Sequence, residues 1–236
     1  MRYKSAEKTV EEFKYMAEKL NVNAITFLDD DFVLHKKRLE KICELLQDNK
    51  TVYWGCNSRV TDVDKDMLEM ITQAGCIQLA FGIESGNPRI MTDVLHKQAT
   101  VEDAKEAVRL CHEFGVVVQS NFMIGAPTET EEEMMDTLKF MKENIVDGGM
   151  GCSAVIPFPG TGMWDWCMEN NKIPKDLNWE LFNYSEYPIN MSALSMEKFN
   201  EVRGRFANYL DENLVKTKKS REDKVRNWKQ KVGLID

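Results

Sequence analysis

LAFGIESG, at residues 79–86, is an apolar run that ends in a carboxylate and a hydroxyl. The run is short and is followed by the turn residues Asn87 and Pro88, which predicts a buried strand that stops near residue 84. A carboxylate such as Glu84 is costly to bury at the end of a strand unless a partner meets it there. We therefore expect Glu84 to mark a binding site, or else to form a structural ion pair with Arg59.

Similar apolar runs with polar tips recur along the first 160 residues. The strand-like runs are residues 24–28, 51–54, 77–83, 116–124 and 153–156. Segments with helical spacing separate them, and two of these segments begin with capping patterns at Thr100 and Thr130. Strands that alternate with helices form a parallel sheet, and ligands bind at the carboxyl ends of its strands. The polar tips are therefore expected to converge: residues 29–31, Asn57 and Arg59, Glu84 and Ser85, residues 125–128 and residues 157–160.

After residue 160 the alternation stops and only helical patterns remain. This change predicts an α/β barrel region at residues 1–160 and a helical extension at residues 161–236. The chain also opens on a helical pattern, whereas an α/β unit normally opens with a strand. We therefore expect the first strand of the barrel to be missing from this sequence.

The composition favours a soluble, cytoplasmic protein. No apolar run approaches the roughly 18 residues that span a membrane, and the first residues lack the apolar core of a secretory signal. The net charge of −8 argues against a nucleic-acid surface. The exception is the basic stretch at residues 216–231, for which a solvated terminal helix is the favoured interpretation and an RNA- or partner-binding tail the alternative.

The six cysteines stand alone in the sequence. None lies within four residues of another, so no metal or cluster ligand set can be read locally. Reduced thiols in the cytosol fit this pattern better than disulfides.

Four segments carry a resemblance to a known family. They are ITFLDDDF at residues 25–32, AGCIQLAFGIESG at residues 74–86, FMIGAPTET at residues 122–130 and PFPGT at residues 157–161. In this combination and order they resemble the radical S-adenosylmethionine (radical SAM) enzymes, in particular the branch that often carries a cobalamin-binding domain. Lys97 and Thr100 stand where that branch often has Lys-x-x-Thr, and the resemblance covers about residues 3–165.

The resemblance implies a partial (β/α)6 barrel that binds SAM beside a [4Fe-4S] cluster, with cobalamin as a further candidate cofactor. In the family the cluster reduces SAM, and the resulting 5′-deoxyadenosyl radical abstracts hydrogen from a substrate. The resemblance assigns cofactor contacts to Asp30, Glu84, Ser85, Gln119, Asn121 and Gly125. By position, Asp30 would face the methionine end of SAM and Glu84 would hold its amino or ribose group. Gln119 and Asn121 would point into the barrel, and Gly125 would let the backbone approach the adenine.

The sequence departs from the family in lacking its Cys-x-x-x-Cys-x-x-Cys loop, whose thiolates hold the cluster. A fragment of a longer enzyme is the favoured explanation, and a clusterless relative is the alternative. In either case we expect this chain to be inactive by itself. Two other functions stay open, namely a non-catalytic SAM-binding or scaffold module and an iron-independent barrel lyase that uses Glu84 and Asp30 as acid and base.

Two further patterns have alternative interpretations. The carboxylates at residues 29–31 favour the N-terminal end of a helix together with a SAM contact, and a divalent-metal site is the alternative. Aromatic residues after the last strand favour a hydrophobic lid, and a substrate mouth is the alternative. The aromatic residues are Trp164, Trp166, Trp179, Phe182 and Tyr184.

Overall fold

The computed structural model describes residues 3–48, 51–145, 149–182, 189–231 and 233. Five strands form one parallel sheet, whose neighbours follow the order of the chain. The strands are β1 (Ala24–Phe27), β2 (Tyr53–Asn57), β3 (Cys76–Glu84), β4 (Val117–Ile124) and β5 (Met150–Ala154). The sheet curls into a half-barrel, which confirms the predicted α/β class and the partial radical SAM-type barrel.

Helices precede, separate and follow the strands, and those between strands cover the outer face of the sheet. They are α1 (Ala6–Leu20), α2 (Lys36–Leu46), α3 (Lys65–Gln73), α4 (Val101–Glu113), α5 (Glu131–Asn144), α6 (Gly162–Glu169) and α7 (Met196–Lys231). The predicted capping patterns are confirmed, because Thr100 and Thr130 each form a complete capping box. Each box satisfies backbone N–H groups that a helix leaves free at its first turn.

The two faces of the sheet differ in polarity. Side chains alternate between faces along a strand, so on β4 Phe122 is buried under the helices while Gln119 and Asn121 lie on the concave inner face. Asn121 stands in register with Gly82 on β3 and Gly151 on β5. Because both neighbours lack side chains, Asn121 is exposed. Around Asn121 the inner face therefore carries small or polar residues and is accessible to solvent.

Helix α7 spans 36 residues and packs on the barrel at both of its ends. Near its start Phe199 and Val202 join the continuous core of the barrel. Near its end the ring of Trp228 packs against that of Tyr53, with 5.4 Å between the ring centroids. Lys224 Nζ donates a hydrogen bond of 3.0 Å to the carbonyl of Val116. The helix therefore packs on the half-barrel at both the carboxyl and the amino ends of its strands. The domain boundary predicted at residue 160 stays a prediction.

The basic stretch at residues 216–231 lies in the second half of α7. Charged residues recur along this helix, so it is far from an apolar span. Among the residues that the structure describes, no helix is both long and apolar enough to cross a bilayer.

Candidate functional site

A cavity of about 480 Å³ opens at the carboxyl ends of the first three strands. Asp30 enters it from the loop after β1, Arg59 from the loop after β2 and Glu84 from the end of β3. Lys97, from the segment before α4, completes the charged wall. The predicted convergence of strand tips thus brings two carboxylates and two cations to one place.

Glu84 is held in an unusual backbone conformation. Its φ is +72°, in the left-handed region that side chains other than glycine rarely adopt. The pairing of β3 with β4 shifts register between Gly82 and Glu84, so a β-bulge turns the carboxylate back over Gly82. A Cβ at Gly82 would stand 2.5 Å from Glu84 Oε1, so a larger residue there would displace the carboxylate from its present position.

Lys97 is the cation that meets Glu84. Its Nζ lies 3.3 Å from Glu84 Oε1 and donates a hydrogen bond of 3.0 Å to the carbonyl of Gly82. The side chain of Glu84 is 18% exposed, so the pair lies at the rim of the cavity and not in bulk water. The alternative ion pair between Glu84 and Arg59 is wrong, because Lys97 takes that place.

Arg59 pairs with Asp31, which is 93% buried, through Nε at 3.1 Å. Burial, and then the neighbouring carboxyl group of Asp62, raise the pKa of Asp31. The three aspartates after β1 therefore lie in different places. Asp30 lines the cavity, whereas Asp31 is buried against Arg59. The backbone carbonyl of Asp29 accepts a hydrogen bond of 2.9 Å from Asn57 Nδ2. Among the described residues, no group of three His, Cys, Asp or Glu side chains is arranged to hold a metal ion.

Gln119 and Asn121 lie on the inner face, outside the residues that line the cavity. Gln119 Oε1 accepts a hydrogen bond of 3.0 Å from Gln78 Nε2. Asn121 is the register neighbour of Gly82, which does line the cavity. Both side chains continue the polar surface from the cavity into the half-barrel.

Ser85 and Gly125 lie apart from the cavity. Ser85 is fully buried, and its hydroxyl pairs with Thr137 Oγ1 on α5 at 3.1 Å, so it anchors that helix to β3. Gly125 has a φ of +86°, and a Cβ there would stand 2.6 Å from Phe199 Cζ. The group that approaches Gly125 in this chain is thus an aromatic ring of α7.

The comparisons with known proteins agree with this geometry. Residues 1–141 match the model of the radical SAM superfamily. This chain belongs to the radical SAM superfamily. An uncharacterized methyltransferase of Pyrococcus horikoshii is 30% identical over 199 residues, which cover 84% of this chain and 43% of that protein. An anaerobic magnesium-protoporphyrin IX monomethyl ester cyclase of Rubrivivax gelatinosus is 29% identical over 145 residues, covering 60% of this chain and 26% of that protein.

Solved radical SAM structures share the fold. The radical SAM methyltransferase TsrM of Kitasatospora setae, with tryptophan and a SAM analogue bound, superposes with a TM-score of 0.62 at 20% sequence identity. The match covers 71% of this chain and 33% of TsrM. This radical SAM chain therefore spans less than half the length of the relatives it matches.

Radical SAM enzymes use a [4Fe-4S] cluster, and the cysteines of this chain do not fit one. All six are free thiols, and five of them are buried. Burial raises the pKa of Cys43 and of Cys152 to about 12, which disfavours the thiolate form that cluster ligands take. They also belong to different helices and strands. These cysteines therefore do not form the ligand set of a [4Fe-4S] cluster.

Sequence reasoning missed Glu129, which follows the fourth strand in the GAPTET segment. Its Oε2 accepts hydrogen bonds from the backbone N–H of Gly125 at 2.6 Å and of Ala126 at 2.9 Å. Burial raises the pKa of Glu129 to about 7. Its Oε1 accepts no hydrogen bond from any residue that the structure describes. The resemblance of the segment was the only signal in the sequence, and it did not point to this carboxylate.

A second cavity of about 730 Å³ adjoins the first, and His96 lines both. Its wall includes Pro127 and Thr128 from the GAPTET segment and Trp166 from α6. Arg89 borders it but is already engaged, because Nε and Nη2 bind both carboxylate oxygens of Glu133 and Nη1 donates to Thr128 Oγ1. The charge of Arg89 is therefore already paired, and apolar side chains such as Met163 and Trp166 form part of the wall.

The predicted aromatic group forms in part. The rings of Trp164 and Trp179 stack at 5.7 Å, and Phe182 packs against both. Trp166 lines the second cavity instead, while Tyr184 lies outside the described residues. The choice between a hydrophobic lid and a substrate mouth stays a prediction.

Proposed function

We propose that this chain forms the SAM-binding part of a radical SAM methyltransferase. The observation that carries the proposal is the cavity in which Asp30, Arg59, Glu84 and Lys97 meet at the carboxyl ends of parallel strands. SAM carries a carboxylate, an ammonium and a sulfonium, so it requires both signs of charge in one site. The two carboxylates and two cations of the cavity match that requirement.

The Lys97 ion pair helps to choose between the amino and ribose groups for Glu84. A ligand ammonium at Glu84 would lie close to the positive charge of Lys97 and would be repelled. Ribose hydroxyls are neutral and both donate and accept hydrogen bonds. They can therefore donate to the carboxylate of Glu84 and accept from the ammonium of Lys97. We therefore assign the ribose to Glu84 and Lys97, and the charged methionine end of SAM to Asp30 and Arg59.

The names of the relatives support methyl transfer. SAM supplies the methyl group and, when it is reduced, the radical that the family uses. In the proposed whole enzyme the residues of this chain hold SAM and orient it toward the half-barrel, where Gln119 and Asn121 continue the polar surface. Cobalamin is proposed as a further cofactor because TsrM has been solved with cobalamin bound. We also propose a cytoplasmic location, which the free thiols favour.

Saturation-transfer NMR on the full chain tests the site through the dissociation constants of SAM, adenosine and methionine. We expect Glu84→Gln to weaken SAM and adenosine about tenfold, as the loss of a hydrogen bond to a charged group does, and to leave methionine unchanged. Glu113→Gln, on the surface of α4, is the matched control and should change none of the three. A wild-type chain that binds neither SAM nor adenosine would contradict the proposal.

A second candidate function is SAM binding without catalysis. One observation favours it, namely that the cysteines of this chain do not fit a cluster. The two candidates share the SAM site and differ in whether a cluster-bearing segment completes it. Activity that ignores SAM and survives oxygen would instead support the iron-independent lyase.

A further inference from the structure

The loop that connects β4 to α5, residues 125–130, is held in place from several sides. From inside, the Glu129 carboxylate binds the backbone N–H groups of Gly125 and Ala126. Arg89, in the segment that follows β3, donates a hydrogen bond of 3.2 Å from Nη1 to Thr128 Oγ1. This loop supplies Pro127 and Thr128 to the wall of the second cavity, so its position shapes that cavity.

The segment before α7 adds two backbone hydrogen bonds to the loop. The N–H of Thr128 donates to the carbonyl of Met191 at 3.0 Å, and the N–H of Ala193 donates to the carbonyl of Glu129 at 2.9 Å. The segment is itself fixed by Asn190, whose side chain donates to the carbonyl of Leu194 and accepts from the N–H of Ser192. The loop is thus paired with a rigid turn that lies about 60 residues further along the chain.

Phe199 fills the space that Gly125 leaves open. Its side chain is 1% exposed, and its Cζ stands 2.6 Å from the position that a Cβ on Gly125 would occupy. Such a close approach of an aromatic ring to a backbone is available only at glycine. Because interiors are closely packed, a smaller side chain at position 199 would leave the loop without its support.

We propose that Phe199 is a positioning residue for the SAM site. Together with the turn at residues 190–194, it holds the β4–α5 loop in the wall of the second cavity, which adjoins the proposed SAM cavity at His96 and receives the adenine of SAM. The inference rests on the proposed function for the identity of the ligand, but its structural part stands on the contacts of Phe199 and the loop. It gives the C-terminal helix, which lies outside the segments that carry the family resemblance, a role in cofactor binding.

Hydrogen exchange measured by mass spectrometry tests the structural part on the full chain. We expect Phe199→Leu to speed the exchange of amides in residues 122–130 at least tenfold, with Thr128 reporting its hydrogen bond to Met191. The matched control is Phe206→Leu, which makes the same change in the same helix, two turns (about 10 Å) further from the loop. Phe206 is also buried, so both variants should lower the melting temperature, but only Phe199→Leu should loosen the loop.

Ligand binding separates positioning from general stability. We expect Phe199→Leu to weaken adenosine and SAM at least fivefold, Phe206→Leu to change them less than twofold, and the longer side chain of Phe199→Met to restore most of the affinity. Equal losses in the two leucine variants, or an unchanged loop in Phe199→Leu, would overturn the inference. Absence of SAM binding in the wild type would instead refute the proposed function, and the exchange result would still decide whether Phe199 holds the loop.

Discussion

At the scale of single residues, two buried or half-buried carboxylates are stabilised in different ways. Glu84 is bound by a cation, Lys97, and remains at the rim of a cavity. Glu129 accepts two backbone N–H groups but lies in a region from which water is excluded. Desolvation is the largest effect on Glu129, so its pKa is raised to about 7. This carboxyl group therefore takes up a proton near neutral pH.

The raised pKa of Glu129 predicts a pH-dependent stability. The folded state holds a proton that the unfolded chain, with a pKa of about 4.5, has released. The stabilising contribution is therefore complete below pH 4.5 and is lost as the pH rises toward 7. We expect this group to lower the free energy of unfolding by on the order of 2 kcal/mol between pH 5 and pH 8. Urea denaturation across this pH range measures the change.

Glu129→Gln is the variant that isolates this group. The amide keeps an oxygen for Gly125 and Ala126 and does not titrate, so most of the pH dependence should disappear. Glu132→Gln, exposed on α5, serves as the control and should leave the pH dependence as in the wild type. If Glu129→Gln kept the same slope with pH, the raised pKa would not be the cause.

At the scale of elements, α7 braces the half-barrel from one end to the other. Its first turns press Phe199 onto the β4–α5 loop, and its last turns cover the amino ends of the strands through Trp228. The residues between these two contact regions are mostly exposed, as Leu214 shows at 66%. The packing energy of the helix is therefore concentrated at its ends.

Trp228→Ala tests the contact of α7 with the amino ends of the strands. The indole is largely buried against Tyr53 and beside Gly75, so we expect its removal to lower the free energy of unfolding by about 3 kcal/mol. Leu214→Ala, in the exposed middle of the same helix, should change it by less than about 0.5 kcal/mol. Urea denaturation compares the two variants, and similar losses in both would argue against separate anchor points.

At the scale of the whole molecule, the chain holds a polar half-barrel but no fitting set of cluster thiolates. The match to the uncharacterized methyltransferase of Pyrococcus horikoshii covers 84% of this chain but only 43% of that protein. Under the proposed function, a further segment that carries the cluster ligands therefore completes the site.

Anaerobic reconstitution with iron and sulfide tests this expectation on the chain as it stands. We expect no near-stoichiometric [4Fe-4S] absorbance and no reductive cleavage of SAM, because the six thiols lie on different helices and strands and five of them are buried. Wild-type and Cys56→Ser chains should therefore give the same low iron content. A stoichiometric cluster with SAM cleavage would show that the prediction of an inactive chain is wrong.

Much of the fold could be predicted, because it depends on local patterns. The five strands follow from short apolar runs, and the starts of α4 and α5 follow from capping boxes at Thr100 and Thr130. The site was predicted less completely. Asp30 and Glu84 do share a cavity, but Ser85 packs against α5 and Gly125 against Phe199, since the direction of each side chain depends on helices that pack from elsewhere in the chain.

The order of strands and helices, the parallel sheet and the edge at which polar tips gather all follow from the sequence, because hydrophobic periodicity and turn residues act over short distances. The contacts of Lys97 with Glu84, of Arg59 with Asp31, and of an aromatic ring of α7 with Gly125 arise from the folded arrangement alone. These pairings join residues up to 74 positions apart. They depend on how the curled sheet and the packed helices bring distant segments together, which no local pattern encodes.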